Sequence, residues 1–246
     1  LKPKINLKLL NIKNFLSFFT ILYYPDIMNS NEEKVISTNP NIKDSIPILR
    51  SVNEKNGIEY TWSCWFFVED IHNNENVNKR IFSKGINSRN MNEYTKLINN
   101  SPGLYISENS NKDINNLKFV FNTYNDMDNS TFEPYESFDI NNIPVKKWVN
   151  VLFILNNKRV DVYINGILKK VHHLKNIPRQ NYYDIHIGDK DGFDGSISDL
   201  KYYDYSLSYS HIQDIFVNGP NIKVINNKKD ILNYKAPNMS MNWYYK

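Results

Sequence analysis

The stretch WVNVLFILNNKRVDVYINGILKKVHHL, residues 148–174, sets the fold class. Two apolar strands meet across Asn156 and Asn157, and a third begins after Asn165-Gly166. Asn-Gly is the strongest short hairpin signal, because a type I′ turn needs positive φ at both central residues. Between the turns Val160, Val162 and Ile164 alternate with Arg159, Asp161 and Tyr163, the period of a strand with one drier face. An antiparallel meander is predicted.

Outward from it the same pattern repeats. YTWSCWFFV (60–68) is dense in aromatic and β-branched residues and has the length of a strand covered on both faces. RIFSKG (80–85), GLYIS (103–107) and LKFVFNTY (117–124) follow, separated by Asn, Ser, Asp and Gly loops. In the last of these Leu117, Phe119 and Phe121 alternate with Lys118, Val120 and Asn122. Downstream, YYDIHIG (182–188) and GSISDLKYYDY (195–205) predict two more strands around a tight turn in DKDGFDG. A short helix comes next. Ser208 is placed to cap it, Ile212, Ile215 and Phe216 recur at helical spacing, and Gly219-Pro220 ends it. About ten to twelve short strands with one short helix predict an all-β fold, a two-sheet antiparallel jelly-roll sandwich.

Composition narrows the class further. With 246 residues, 41% hydrophobic and 14% aromatic, the chain can build a core without disulfides or metal and is not disordered. Gly 8 excludes collagen and Cys 1 excludes a disulfide scaffold. The net charge of +4 comes from scattered pairs such as Lys146 with Lys147 and Lys169 with Lys170, so no nucleic-acid partner is expected. Asparagine is about one residue in six and Ala236 is the only alanine. Ile, Lys and Tyr are also heavy, and these residues, like Asn, have AT-rich codons, which points to an AT-rich genome: a large DNA virus, a protist or a low-GC bacterium. The same bias makes the sequons at Asn99, Asn129 and Asn238 expected by chance. Cys64, inside an apolar run, reads as a small buried hydrophobe and not as a nucleophile.

Three regions are expected. Residues 1–47 read as an N-terminal arm and linker. Their apolar run extends only from Phe15 to Tyr24, short of the about 20 residues needed to cross a bilayer. An arm packed on its own domain or on a neighbour is expected, with a membrane-lying helix as the alternative. The chain opens on leucine, which leaves room for an upstream signal or anchor. Residues 25–47, punctuated by Pro25, Pro40 and Pro47, predict a linker or extended lead-in. Residues 48–220 form the domain, without internal repeat. Residues 221–246 predict a tail packing on the domain or on a neighbour.

Four segments carry a family likeness: YTWSCWFFV, PGLYIS, IPVKKWVNVLFILNNKRVDVYINGILKKVHHL and GFDGSISDLKYYDYSLSYSHIQDIFVNGPN. In this order they resemble the concanavalin A-like lectin/glucanase superfamily, in its laminin-G-like and pentraxin-like branch. Ser206 and His211 depart from the Ala and Glu of the family's pattern. GFDG and YING in Asn-rich sequence resemble proteins of large DNA viruses, which implies a virion or other particle surface as the setting.

The superfamily contains hydrolases, lectins and adhesion modules, so function must come from side chains. Its retaining glucanases carry alternating carboxylates on one strand, with the two reacting groups about 5–5.5 Å apart. No such triplet is present; Glu133 with Glu136, and Glu69 with Asp70, have the wrong spacing for one strand face. Ser196 and Ser198 near His186 and Asp189 lack a nucleophile elbow. His172 and His173 are adjacent on a strand and so face opposite ways, a poor metal pair. The relatives often bind ligands through calcium, and Asp189, Asp191 and Asp194 in DKDGFDG are the candidate oxygen ligands. The run lacks the closing Glu of an EF-hand, and a turn is the simpler reading. Of the tyrosines 182, 183, 202, 203, 205 and 209, half must face the core by alternation; Trp62, Trp65 and Trp148 read as core. No catalytic residue is assigned, and the ligand-binding residues are left open.

The expected function is a non-enzymatic structural or surface binding protein, a capsid-associated virion component contacting other structural proteins of the particle. A carbohydrate-binding lectin used in attachment is the first alternative and a divergent glycoside hydrolase the second.

Overall fold

Thirteen strands and one helix make up the described residues of this computed structural model: 22–24, 28–29, 32–37, 48, 57–70, 78–85, 100–108, 115–124, 135–188 and 192–222. The first three strands are short: β1 (Leu22–Tyr24), β2 (Met28–Asn29) and β3 (Lys34–Ile36). Then come β4 (Glu59–Asp70), β5 (Lys79–Lys84), β6 (Gly103–Glu108), β7 (Asn115–Asn122) and β8 (Tyr135–Asn141). The meander is β9 (Trp148–Asn156), β10 (Arg159–Ile164) and β11 (Ile167–His173), followed by β12 (Ile185–Ile187), β13 (Asp194–Tyr203) and helix α1 (Tyr209–Asn218). One sheet has seven strands in the order β1-β13-β4-β9-β10-β11, with β2 also on β13; the other has six, β3-β12-β5-β6-β7-β8. The fold is an all-β, two-sheet antiparallel sandwich with one short helix, as the alternation predicts.

The sheets bury their facing residues against each other. Trp62, Phe66, Val149, Val151, Phe153, Val160 and Val162 of the seven-stranded sheet meet Phe82, Leu104, Ile106, Phe119, Phe121 and Phe138 of the other. The rings interlock: Phe153 stands edge-on to Phe119 and Phe121 with centroids 5.4 and 6.0 Å away, and Trp62 stacks on Phe82 at 5.1 Å. Such pairs add about 0.5–1.5 kcal/mol each beyond burial. Cys64 lies in this core, and burial pushes its thiol up, away from thiolate chemistry.

The outer face of the seven-stranded sheet is not simply wet. Leu152 and Ile154 point out of the core and are covered by Leu207 and Ile212, with Tyr163, Tyr203 and Ile215 around them. Trp65, also outward, stacks on Phe216 of α1 at 6.1 Å. Polar contacts hold the helix entry on β4: Thr61 Oγ1 donates to Tyr205 O (2.8 Å) and accepts from Leu207 N (3.1 Å), and Ser206 Oγ donates to Glu59 (2.8 Å). Ser206, one departure from the family pattern, therefore has a role of its own.

Three details differ from the sequence reading. Within the region expected as an arm packed on its own domain or on a neighbour and as an extended lead-in, the described segments supply strands to both sheets: β1 and β2 pair β13, and β3 pairs β12. Strands of two or three residues are too short to show a period. The first hairpin turns at Asn157 and Lys158, one residue later than expected, with φ 57° at Asn157. Ser208 takes the extended cap conformation, but its hydroxyl faces Ser210 and His211 instead of the helix backbone. The Asn165-Gly166 turn is as expected, with φ 52° and 75°. The second glycine of GFDG is explained by close approach: a Cβ on Gly195 would sit 1.9 Å from the Phe67 carbonyl oxygen. Residues 1–21 and 223–246 lie outside the described residues.

Candidate functional site

At one end of the sandwich the sheets leave a shallow cleft, whose empty volume of about 380 Å³ includes open solvent. Tyr60 and Trp62 of β4 and Tyr202 of β13 form its inner wall. Lys84 at the end of β5, Ser101 and Pro102 before β6, and Arg179, Gln180, Asn181 and Tyr182 before β12 complete it, with Ile48.

The inner wall is fixed by the core. Tyr202 lies against Trp62 with centroids 4.8 Å apart and against Tyr60 at 6.2 Å. Burial pushes both phenols above the ordinary tyrosine value, the Ser101 hydroxyl pulling Tyr60 slightly the other way. They stay neutral hydrogen-bonding groups on an apolar wall.

The outer wall hangs on Asn181 and Lys84. Asn181 Nδ2 donates to Lys84 O and Ser101 O, both at 3.0 Å, while its Oδ1 accepts from Lys84 Nζ (3.1 Å) and Tyr183 N (3.2 Å). Lys84 Nζ also donates to Asn181 O (2.6 Å) and Tyr183 O (3.0 Å). Burial lowers the ammonium from 10.5 to about 8, the charge of Asp184 acting the other way. Upstream, Arg179 N donates to Asn122 O (2.8 Å), Tyr124 N to Ile177 O (2.9 Å), and the Arg179 guanidinium lies 5.0 Å from the Tyr124 ring centre. Held at both ends, this segment presents Tyr182, 66% exposed, at the rim. The arrangement offers an aromatic wall, amide and hydroxyl groups and positive charge, and no carboxylate is among the described residues of its lining.

The residues weighed from sequence fall elsewhere. Asp189 and Asp191 lie outside the described residues, and Asp194 opens β13 opposite Asp70. Among the described residues no three His, Cys, Asp or Glu side chains gather around a point that could hold a metal. His186 is in the six-stranded sheet, where burial lowers it and Glu33, 3.7 Å away, opposes the effect. Ser196 and Ser198 are in the other sheet, and Ser198 donates to Asn221 O. His172 stacks on Phe138 at 4.2 Å, while His173 is exposed. Glu136 accepts from the N–H groups of Lys175 and Asn176, and Glu133 lies outside the described residues. Trp62 and Trp65 are buried, Trp65 on the outer face beneath α1; Trp148 is half-buried beside Phe67. Among the described residues no helix is long and apolar enough to cross a membrane.

Sequence reasoning named Tyr182 and Tyr202 without joining them, and it missed Lys84, Arg179 and Asn181. RQNYYD (179–184) was the available signal, an amide- and aromatic-rich run between strands.

Two antiparallel sheets with an end cleft of this kind are a lectin-type β-sandwich. The chain belongs to the concanavalin A-like lectin/glucanases superfamily, whose family model matches residues 45–213. No curated protein matches it. Similar solved structures include the ligand binding domain of botulinum neurotoxin serotype D in complex with N-acetylneuraminic acid, at 15% identity and TM-score 0.53, covering 80% of this chain and 46% of that one. The receptor binding domain of the C/D mosaic serotype of the same toxin gives 16%, 0.51, 80% and 45%. That of botulinum neurotoxin D gives 14%, 0.50, 81% and 48%. The chain thus spans about half the length of these structures, and at such identity the likeness is one of fold.

Proposed function

We propose that the chain is a non-enzymatic binding domain that recognises a saccharide in the end cleft. The observation that carries this is the joining of a rigid aromatic wall, Tyr60, Trp62 and Tyr202, to a tethered polar segment that presents Tyr182. Sugars offer a flat apolar face and a rim of hydroxyls; the exposed Tyr182 ring can meet the first, and the amide and hydroxyl groups of the lining the second. Two facing carboxyls, which glycoside hydrolysis requires, are not among the described residues of the lining. The solved relatives are titled as receptor- or ligand-binding domains, and one holds a sugar acid, which supports a binding role without locating it.

A glycan array probed with the full chain tests this. The expected result is a defined set of bound saccharides whose signal falls at least about tenfold in Tyr182→Ala, the loss of one stacking aromatic, with an unchanged melting point because Tyr182 is exposed. A blank array for the unaltered chain at millimolar calcium would sink the proposal. The setting suggested by the Asn-rich composition is the surface of a viral particle, with other particle proteins as partners; mass spectrometry of purified particles that lacks this chain would remove it.

A further inference from the structure

We propose that the N-terminal arm, residues 1–21, rounds the start of α1 and docks on an apolar patch on the outer face of β10 and β11. The inference is independent of the saccharide reading. Tyr163 pairs Leu168 and Asp161 pairs Val171, and directly opposed residues point to the same side of a sheet. That side is the outer one, because Tyr163 packs on the cluster of Leu152, Ile154 and Ile212, and Asp161 alternates with Val160 and Val162 of the core. Tyr209 of α1 joins the group, its phenol close enough to act electrostatically on that of Tyr163. Leu168, Val171 and Tyr209 are 46, 40 and 65% exposed. Scattered apolar residues on a surface are ordinary, whereas adjoining ones mark a contact.

The register of the sheet names the occupant. Tyr203 is opposite Thr61, Thr61 opposite Ile154, Ile154 opposite Asp161 and Asp161 opposite Val171, so one row runs across the sheet from β13 to β11. β1 lies on β13 with Leu22 opposite Tyr202 and Tyr23 opposite Lys201, so β1, traced backwards, points to Tyr203 at the near end of that row. Five strand spacings, about 24 Å, separate β1 from β11. Twenty-one residues reach about 31 Å even when helical and about 70 Å when extended. On the way stand Tyr205 and Tyr209, both exposed, at the entry to the helix. Eleven of the 21 arm residues are Leu, Ile or Phe, four are Lys and none is acidic, so the arm brings apolar surface to bury. The C-terminal tail leaves from a different place. Asn221 is bonded to Ser198 and Asp199, and Ser198 pairs Trp65, about 13 Å along β4 from Thr61 and the row.

The test treats the full chain, as an equal mixture of isotope-labelled and unlabelled protein, with a short lysine-reactive cross-linker and maps the links by mass spectrometry. Lys169 is exposed between Leu168 and Lys170, while Lys146 and Lys147 are exposed beside Val68 at the opposite end of β4. Lys8 or Lys13 should link to Lys169 of the same molecule at least about fivefold more than to Lys146 or Lys147, since docking raises the local concentration. Leu168→Glu with Val171→Glu should lower the Lys169 link at least about fivefold, because the arm would then bury charge. The circular-dichroism spectrum should not change, as both residues are exposed. Links in mixed-isotope pairs would place a neighbouring copy's arm on the patch and overturn the inference. So would an unchanged yield in the double variant, links to Lys169 from Lys228, Lys229 or Lys235 of the tail in place of the arm, or arm links spread evenly over the surface. An arm without links in a chain that sediments with anionic phospholipid vesicles would be assigned to a membrane, which also overturns it, as does an arm without links in solution. Should the double variant fail to fold, the link pattern of the unaltered chain decides alone.

Discussion

Replacing Lys84 with methionine separates the charge in the cleft wall from the packing around it. The ammonium is 7% exposed and bonded only to neutral acceptors, and burial lowers it from 10.5 to about 8. Its folded value lies below its unfolded one, so between the two the unfolded chain holds more protons and stability rises with pH. The penalty is absent above the ordinary value and full below pH 8. The interval corresponds to about 3 kcal/mol, of which about 2 kcal/mol is recovered between roughly pH 8 and pH 10. Burial raises the phenols of Tyr60 and Tyr202 and the Cys64 thiol, so these groups remove stability as the pH climbs past their unfolded values. They do so equally in both proteins. Urea denaturation at four pH values across this window, with the slope m held constant, gives the free energies. Relative to Lys84→Met, the unaltered chain should gain about 2 kcal/mol from pH 8 to 10. The level of the variant is less informative, because it leaves three acceptors without the ammonium. Parallel curves would refute the claim that a charged amine is buried in this wall.

Two further substitutions test how the sandwich and its helix are held. Gly195→Ala places a Cβ 1.9 Å from the Phe67 carbonyl oxygen and 2.9 Å from the Phe193 ring, and backbone cannot move aside, so a loss of about 3 kcal/mol or more, or failure to fold, is expected in a thermal melt. Ile212→Ala empties the contact that seats α1 over Leu152 and Ile154 and should cost about 2–4 kcal/mol, with hydrogen exchange rising in the helix before the sheets. Uniform loss across both sheets would show instead that the helix is part of the common core.

The fold was legible wherever burial imposed a period. β4, β9 and β10 are apolar at every position the core requires, and Asn165-Gly166 announces a turn that only positive φ satisfies. Where no period exists the reading stopped: β1 to β3 are too short, and either of Asn156 and Asn157 could have opened the first hairpin. The cleft was hidden for another reason. Its residues come from positions 48, 60, 62, 84, 101–102, 179–182 and 202, which only the pairing of strands brings together. Lys84 was visible as a charge closing an apolar strand, yet whether it faces solvent or a carbonyl cage depends on Asn181, 97 residues away in sequence.

On the saccharide reading, that distribution also gives the two walls different roles. Tyr60, Trp62 and Tyr202 are held by ring contacts inside the sandwich, so changing them to suit another ligand would damage the core. Arg179, Gln180 and Tyr182 belong to a segment tied down by Asn181, Lys84 and the backbone bonds from Arg179 to Asn122 and from Tyr124 to Ile177. Substitution in this segment leaves the ring contacts of the core untouched, which divides a preorganised wall from a more adjustable one. If the cleft takes a saccharide as proposed, discrimination between ligands falls to the residues before β12, because the aromatic wall is committed to the core.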